Sequence, residues 1–363
     1  MPPNPAPRQD SVLPDPLSRE LVPRLLSWYA ENARDLPWRL SCDPYRVWVS
    51  EIMLQQTTVD VVRDYYARFL KAFPTVEALA AAEESDVLKL WEGLGYYTRA
   101  RNMLRAAKVI MEKHGGNFPS AYEDIRALPG VGDYTAGAIA SICFDAPRAA
   151  VDGNVLRVFS RLMAQDYPTA ADKKRLAGQI SALYPKGACG DFTQSLMELG
   201  ALVCTPSSPQ CGACPVSMLC RAHAEGKVDA FPARRAAKEK RVEALTVLIL
   251  TRGEEIAMRR RAPVGLLGGL WELPNAPGHL DGADAVAFAG RLGARPEKLI
   301  QSGRAAHVFS HVRWDMLWYH IACDAGAPAL SAGAVWVSPA ARREKHSLPS
   351  AFSKLLKQAG LDA

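Results

Sequence analysis

Long apolar runs are missing from this sequence. None of its 363 residues belongs to a stretch approaching the ~20 apolar residues that span a bilayer, which excludes a transmembrane helix. The opening, Met1 to Pro16, is rich in proline and has no apolar signal core, so residues 1–16 read as a disordered tail rather than an export signal. Cysteine is scarce. Four of the eight (Cys42, Cys143, Cys189, Cys323) are scattered, as in reduced thiols of an intracellular, cytoplasmic protein, and a disulfide scaffold is not expected. No internal repeat is visible. What is present suffices for two ordinary domains: 48% hydrophobic residues bury real cores without staples. The formal net charge of +6 is compatible with nucleic acid but does not require it.

The other four cysteines stand together. Cys204, Cys211, Cys214 and Cys220 follow the spacing C-x6-C-x2-C-x5-C in a loop with Pro206, Pro209, Gly212 and Pro215. Zinc sites usually pair two short knuckles on separate elements, whereas a compact loop wraps one object with four corners. A [4Fe–4S] cluster takes four thiolates and little else, and is the expected cofactor. Zinc, which also accepts four cysteines, and a disulfide pair are the alternatives.

Residues 17–229 read as a helical domain, with apolar positions three and four apart, as at Leu88, Trp91, Leu104 and Val109. Turns fall at Phe73-Pro74-Thr75, Gly93-Leu94-Gly95, His114-Gly115-Gly116 and Leu128-Pro129-Gly130. Residues 230–242, containing AFPARRAAKEK, read as a basic linker. Beyond it, residues 243–363 read as a smaller α+β domain. Ala244–Thr251 and Glu255–Arg261 form a strand pair, His307–Cys323 has strand composition, and a last helix spans Pro349–Gln358.

Three local patterns carry chemistry. The first is Leu128-Pro129-Gly130-Val131-Gly132-Asp133-Tyr134-Thr135-Ala136, before a helix of small residues. Gly130 and Gly132 permit a tight turn whose N–H groups, at a helix N-terminus, can hold a phosphate; a plain helical hairpin is the alternative. The second is Glu51, a lone carboxylate among Trp48, Val49, Ile52, Met53 and Leu54. Buried there, its pKa rises and it becomes a general acid; exposed, it is an ordinary helix glutamate. The third is Asp152 in VDGNV, a helix N-cap whose donors would keep it ionised beside a cation. Two carboxyl groups with separated pKa values suit cleavage at an anomeric carbon.

LPGVGDYTAGAIAS, VDGNV and the four-cysteine loop together resemble the helix–hairpin–helix DNA glycosylases with an iron–sulfur cluster. DPYRVWVSEIMLQQT and GLGYYTRARN are similar to the adenine DNA glycosylases of the MutY type, over roughly residues 20 to 345. The resemblance implies a monofunctional enzyme of base excision repair. It would remove adenine mispaired with 8-oxoguanine or guanine from double-stranded DNA and leave an abasic site, acting as a monomer in the bacterial cytoplasm, associated with the nucleoid through DNA. It places the hairpin at about 122–145 and the cluster loop at 204–220.

By position, Glu51 would protonate adenine N7, Asp152 would stabilise the oxocarbenium-like sugar or bond to it transiently, and Asn154 would support the same site. Tyr134 stands where glycosylases with lyase activity carry a lysine, and a phenol forms no Schiff base; it would orient Asp152 or the sugar. Gln56 and Tyr96 would wedge into the base stack, Trp38 and Arg39 would flank the extruded adenine, and Glu198 would read its Watson–Crick edge. Read alone, Gln56 is a solvated glutamine and Tyr96 a core tyrosine. The second domain resembles a Nudix fold without the glutamate-rich REXXEE helix, having only Glu272 nearby, so no pyrophosphatase activity is expected. Its Phe309, Ser310 and His311 match the loop that recognises 8-oxoguanine, and Arg234, Arg235, Lys238 and Lys240 would lie along phosphates. The rival readings are a bifunctional glycosylase/lyase for oxidised pyrimidines, which Tyr134 disfavours, and a non-catalytic iron–sulfur DNA sensor.

Overall fold

A computed structural model describes residues 13, 15–233 and 239–361. The expected tail lies largely outside them, as do Arg234, Arg235 and Lys238. Asp15 and Pro16 do not belong to a tail: they open the first helix. The chain forms two compact units, residues 1–81 with 105–236 and residues 82–104 with 237–363. That division corrects the simple cut at the basic linker, because residues 82–104, taken from sequence as part of the helical domain, group with the second unit.

The helices are α1 (Asp15–Asn32), α2 (Pro44–Leu54), α3 (Val59–Ala72), α4 (Val76–Ala80), α5 (Glu84–Leu90), α6 (Thr98–His114), α7 (Tyr122–Arg126), α8 (Asp133–Phe144), α9 (Gly153–Met163), α10 (Ala170–Ser181), α11 (Cys189–Leu202) and α12 (Arg221–Ala224). Asp43 starts α2 by accepting the Arg46 N–H at 2.9 Å, with Pro44 at the first helical position, where no N–H is needed. From Val47 to Met53 every residue of α2 is buried, so this stretch of the helix has no solvent face. The short hairpin between α7 and α8 turns at Gly130 (φ 77°) and closes with Val131 N–H on the Leu128 carbonyl at 3.1 Å.

Helix α8 can approach its neighbours because of its small residues. A Cβ on Gly137 would lie 2.5 Å from the Ala149 carbonyl oxygen, in the segment that leads to Asp152. A core of Leu21, Leu25, Val158, Phe159, Phe192 and Leu196 joins α1, α9 and α11, and the cysteine loop packs on it through Val216. Among the described residues, no helix is long and apolar enough to cross a membrane.

The second unit contains β1 (Arg241–Arg252), β2 (Glu255–Arg260), β3 (Trp271–Glu272), β4 (Asn275–Pro277), α13 (Gly282–Arg291), β5 (Pro296–Val308), β6 (Val312–Cys323), β7 (Ala334–Val337), α14 (Pro339–Glu344) and α15 (Ser350–Gln358). The sheet order is β3-β2-β1-β6-β5, with β4 on β1 and β7 on β2. Strands β1 and β6 run parallel, and the other pairs antiparallel. Alternation along β1 fills two cores: Val247 and Ile249 face the Phe352 side, Leu248 and Leu250 the Ala285 side. One expected strand is in fact a hairpin. His307–Cys323 breaks at Phe309–His311, where the Phe309 N–H bonds the Val312 carbonyl at 2.8 Å.

Candidate active site

A cavity of about 780 Å³ opens in the first unit and is lined by α2, α8, α9 and α11 residues. It brings together Glu51, Tyr134, Asp152, Asn154, Trp38, Arg39, Gln56, Gly132 and Glu198, which lie far apart in sequence. Its size suits a ligand such as one nucleotide base with its sugar.

Glu51 is 6% exposed and its Oε2 has no hydrogen-bond partner. Burial drives its pKa up to about 7; the Tyr134 hydroxyl and Arg39 work against this, and Asp152 with it. Of the two sequence alternatives, a buried and an exposed glutamate, Glu51 is the buried one. Tyr134 faces Glu51 rather than Asp152, and its hydroxyl also approaches Met197 Sδ at 3.9 Å. Burial, then the two carboxylates, push the phenol pKa well above its usual value, so it stays neutral.

Asp152 caps α9, its Oδ1 accepting Val155 N–H at 2.7 Å and its Oδ2 accepting Asn154 Nδ2 at 2.9 Å. Its pKa nevertheless rises, because burial outweighs these donors. Val155, Asn154 and Arg157 still favour its charged form, whereas Glu51 has only the Tyr134 hydroxyl and the more distant charge of Arg39 on that side.

Burial would raise the Glu198 carboxyl, but Arg34 and Arg39 hold it down to about 2. Arg34 Nε meets Oε1 at 2.6 Å and NH2 meets Oε2 at 2.9 Å, while Arg39 NH2 takes Oε2 at 2.7 Å. With both oxygens engaged, Glu198 fixes two guanidiniums at the cavity wall. Trp38 is mostly buried, edge-on to Tyr66 at 5.5 Å. Gln56 is exposed at the rim with φ 62°, a left-handed backbone uncommon for this residue.

Sequence reasoning missed Arg34 and Arg157. Arg157 bonds Asn154 Oδ1 at 2.9 Å, the Gly200 carbonyl at 2.7 Å and the Cys204 carbonyl at 2.8 Å, so it ties the cysteine loop to the support of Asp152. The signal was Arg157 and Arg161, one turn apart in an otherwise apolar helix. Gly200 was missed too: a Cβ there would lie 2.6 Å from the Asn154 Cβ.

The four loop cysteines surround a space of about 30 Å³ with Arg161 beside it. Arg161 NH1 lies 3.3 Å from Cys204 Sγ and 2.7 Å from the Thr205 carbonyl, and Cys220 Sγ approaches the Arg161 carbonyl at 3.3 Å. Among the described residues, no three His, Cys, Asp or Glu side chains converge on a point as for a single ion. The sulfurs ring a volume, with a fixed cation to offset thiolate charge, and this donor set fits a cubane cluster.

In the second unit, residues 93–97 place Tyr96 half-exposed, its hydroxyl 3.0 Å from Ser310 Oγ. The reading of Tyr96 as a core residue is thereby excluded. Phe309 packs against Trp314 (4.8 Å between rings) and His307 (4.6 Å), while Ser310 and His311 are exposed. Glu272 is buried between Arg259 Nε, at 2.7 Å, and Arg261. Lys240 Nζ donates to the Phe309 carbonyl at 2.8 Å.

Residues 49–180 match the family described as "HhH-GPD superfamily base excision DNA repair protein", residues 204–220 the "Iron-sulfur binding domain of endonuclease III", and residues 246–358 a "NUDIX domain". The hairpin, the carboxylate-lined cavity and the cysteine loop thus define a helix–hairpin–helix DNA repair protein with an iron–sulfur centre, joined to a Nudix-like domain. A solved thermostable thymine-DNA glycosylase shares the fold with a TM-score of 0.54 at 31% identity, covering 57% of this chain and 97% of that one. The adenine DNA glycosylase of Rattus norvegicus is 36% identical over 378 residues, covering 86% of this chain and 73% of that protein. That of Buchnera aphidicola subsp. Baizongia pistaciae is 40% identical over 205 residues, covering 56% and 58%. The chain belongs to the adenine DNA glycosylase family.

Proposed function

We propose that this chain is a monofunctional glycosylase that hydrolyses the N-glycosidic bond of adenine opposite 8-oxoguanine, or guanine, in duplex DNA. The observation that carries the reading is the carboxylate pair in one cavity: Glu51, with one oxygen left without a hydrogen-bond partner, and Asp152, with a donor on each oxygen. The nucleotide must leave the stack, at about a few kcal/mol, to enter the cavity. Glu51, still protonated near neutral pH, donates to adenine N7 and turns the base into a better leaving group. Asp152 faces the cationic sugar that remains, and water completes hydrolysis. Tyr134 holds the Glu51 carboxyl, while Asn154 holds Asp152 ionised.

No lysine is among the residues that line the cavity, which supports release of the base without strand cleavage. Gly130 and Gly132 would grip a phosphate: the Cβ position of Gly132 has open space around it. Gln56 and Tyr96 would fill the stack, with Trp38 and Arg39 beside the adenine. Ser310 and His311 would bond the 8-oxoguanine, Phe309 acting by packing. The Cys204, Cys211, Cys214 and Cys220 cluster would hold its loop, and through Arg157 the Asp152 support, in shape. Glu272, neutralised by two arginines, supports a Nudix-like domain without pyrophosphatase chemistry. A monomer acting on cytoplasmic DNA is part of the same proposal.

The test is product analysis on a duplex with 8-oxoguanine opposite adenine. Free adenine should appear while the strand stays intact until alkali is added. Spontaneous nicking through a borohydride-trapped adduct would favour a lyase, and binding with no adenine released would end the reading.

A further inference from the structure

We infer that Lys89 and Glu92 form a bracket that sets the position of Tyr96 from the C-terminal half of the second unit, making them specificity-determining positioning residues. The inference rests on the proposed part of Tyr96 and Ser310 in recognising the base opposite adenine.

The two side chains pair with each other, and each also holds backbone. Lys89 Nζ donates to the Arg342 carbonyl at 2.9 Å and the His346 carbonyl at 3.4 Å. Arg342 lies in the last turn of α14, where free carbonyls and the helix dipole favour a cation. Glu92 Oε1 accepts the Leu348 N–H at 2.8 Å, just before α15. Leu348 is 2% exposed, and removing Glu92 takes the acceptor from this buried donor. The 342–348 turn is itself fixed: His346 packs edge-on to Trp271 at 4.3 Å, and Ser347 accepts the Trp271 N–H at 3.3 Å. An exposed lysine–glutamate pair would be worth little. This pair is about three-quarters shielded and engages three backbone groups.

From Glu92 to Tyr96 the chain cannot flex freely. Gly93, Gly95 and Tyr96 are all left-handed, at φ 99°, 72° and 49°. Trp91 Nε1 donates to the Gly95 carbonyl at 3.1 Å, and Arg99 NH2 reaches the Leu94 and Gly95 carbonyls at 3.2 and 3.1 Å. The Glu92 anchor therefore transmits to Tyr96, whose hydroxyl meets Ser310. The segment is attached at two ends to the same folded body, and a wedge so held presents one geometry to the opposite base. A displacement of about 1 Å at such a contact is enough to cost much of its effect.

The experiment compares excision rates for adenine opposite 8-oxoguanine and opposite guanine in the full-length protein, with amide hydrogen exchange over residues 93–97 and at Leu348. Glu92→Ala and Lys89→Met should each cut the preference for 8-oxoguanine about tenfold, a loss of about 1.4 kcal/mol, and speed exchange at both places. Lys89→Arg should restore the preference. The double variant Lys89→Glu/Glu92→Lys should not, since a carboxylate cannot donate to the Arg342 and His346 carbonyls; rescue by that swap would reduce the bracket to a simple ion pair and overturn the inference. Glu92→Gln, which keeps an acceptor for Leu348, provides the milder test should Glu92→Ala not fold. A wild-type protein with no preference would overturn the reading beneath the inference, whereas a wild-type preference that Glu92→Ala and Lys89→Met leave intact would overturn the bracket alone.

Discussion

Two walls of the same cavity each bury a glutamate, and they treat it in opposite ways. On α2, Glu51 is surrounded by apolar side chains and its pKa climbs to about 7. On α11, Glu198 is just as deeply buried, yet two guanidiniums hold it down to about 2. Burial is common to both; the cation supply differs. A buried carboxylate with paired hydrogen-bonded cations is a fixed anion and part of the scaffold. One without them is a proton donor waiting for a base. The difference explains why only Glu51 is assigned to chemistry although both line the space.

The sharpest way to break the contrast is to remove the proton from the first wall. Glu51→Gln keeps shape but cannot donate, and single-turnover release of adenine should drop by at least about 10²–10⁴ while duplex binding persists. In the wild type the rate should fall as pH rises through about 7, because the working form is protonated. The same group links pH to stability. Its folded pKa lies above the usual 4.5, so the native state holds the extra proton between those values. Its contribution is complete at low pH and is lost as pH rises through about 7. Melting temperature of the wild type relative to Glu51→Gln should therefore decline from pH 5 toward pH 8. A flat difference would mean that Glu51 is solvated.

The opposite wall should respond in stability first. Glu198→Gln leaves Arg34 and Arg39 facing a neutral amide. Breaking a buried pair costs about 3–5 kcal/mol, and the lower end applies because Arg34 is a third exposed. The linkage here has the reverse sign. A depressed carboxyl pKa stabilises the fold above the usual 4.5, and that stability disappears as pH falls toward about 2. Glu198→Gln should be less sensitive to acid than the wild type across that range, as urea melts would show. Excision by the surviving folded fraction should fall less than in Glu51→Gln.

The sequence made the difference between the walls only half legible. A glutamate amid Trp48, Val49, Ile52 and Met53 announces desolvation, because its neighbours along one helix are visible in order. The cations of Glu198 are 164 and 159 positions away, and no local pattern reveals such a pairing. The cysteine loop and hairpin were readable for the first reason: spacing within a few residues fixes their geometry. The grouping of residues 82–104 with the second unit was not, since it depends on Lys89 and Glu92 meeting backbone more than 250 residues on. Strand β5 was overlooked because a strand with one wet face and many small residues lacks a strong apolar pattern.

Asp152 falls between the two walls, and it tests the comparison most finely. Its carboxylate is only partly buried and is held by neutral donors, Val155 N–H and Asn154 Nδ2, rather than by a directly bonded cation. Asn154→Ala removes one of these donors and leaves the helix cap to Val155 intact. A hydrogen bond to a charged group favours the ionised form, so the Asp152 pKa should rise further. In the proposed reaction Asp152 acts ionised, so the acid limb of the pH–rate profile should move up toward neutrality, while the basic limb set by Glu51 stays in place. The optimum narrows from below, and the rate on the acid side falls while the rate at the optimum changes less. Movement of both limbs together would show that Asn154 serves the whole cavity, and an unmoved acid limb would remove Asp152 as the group that must carry charge.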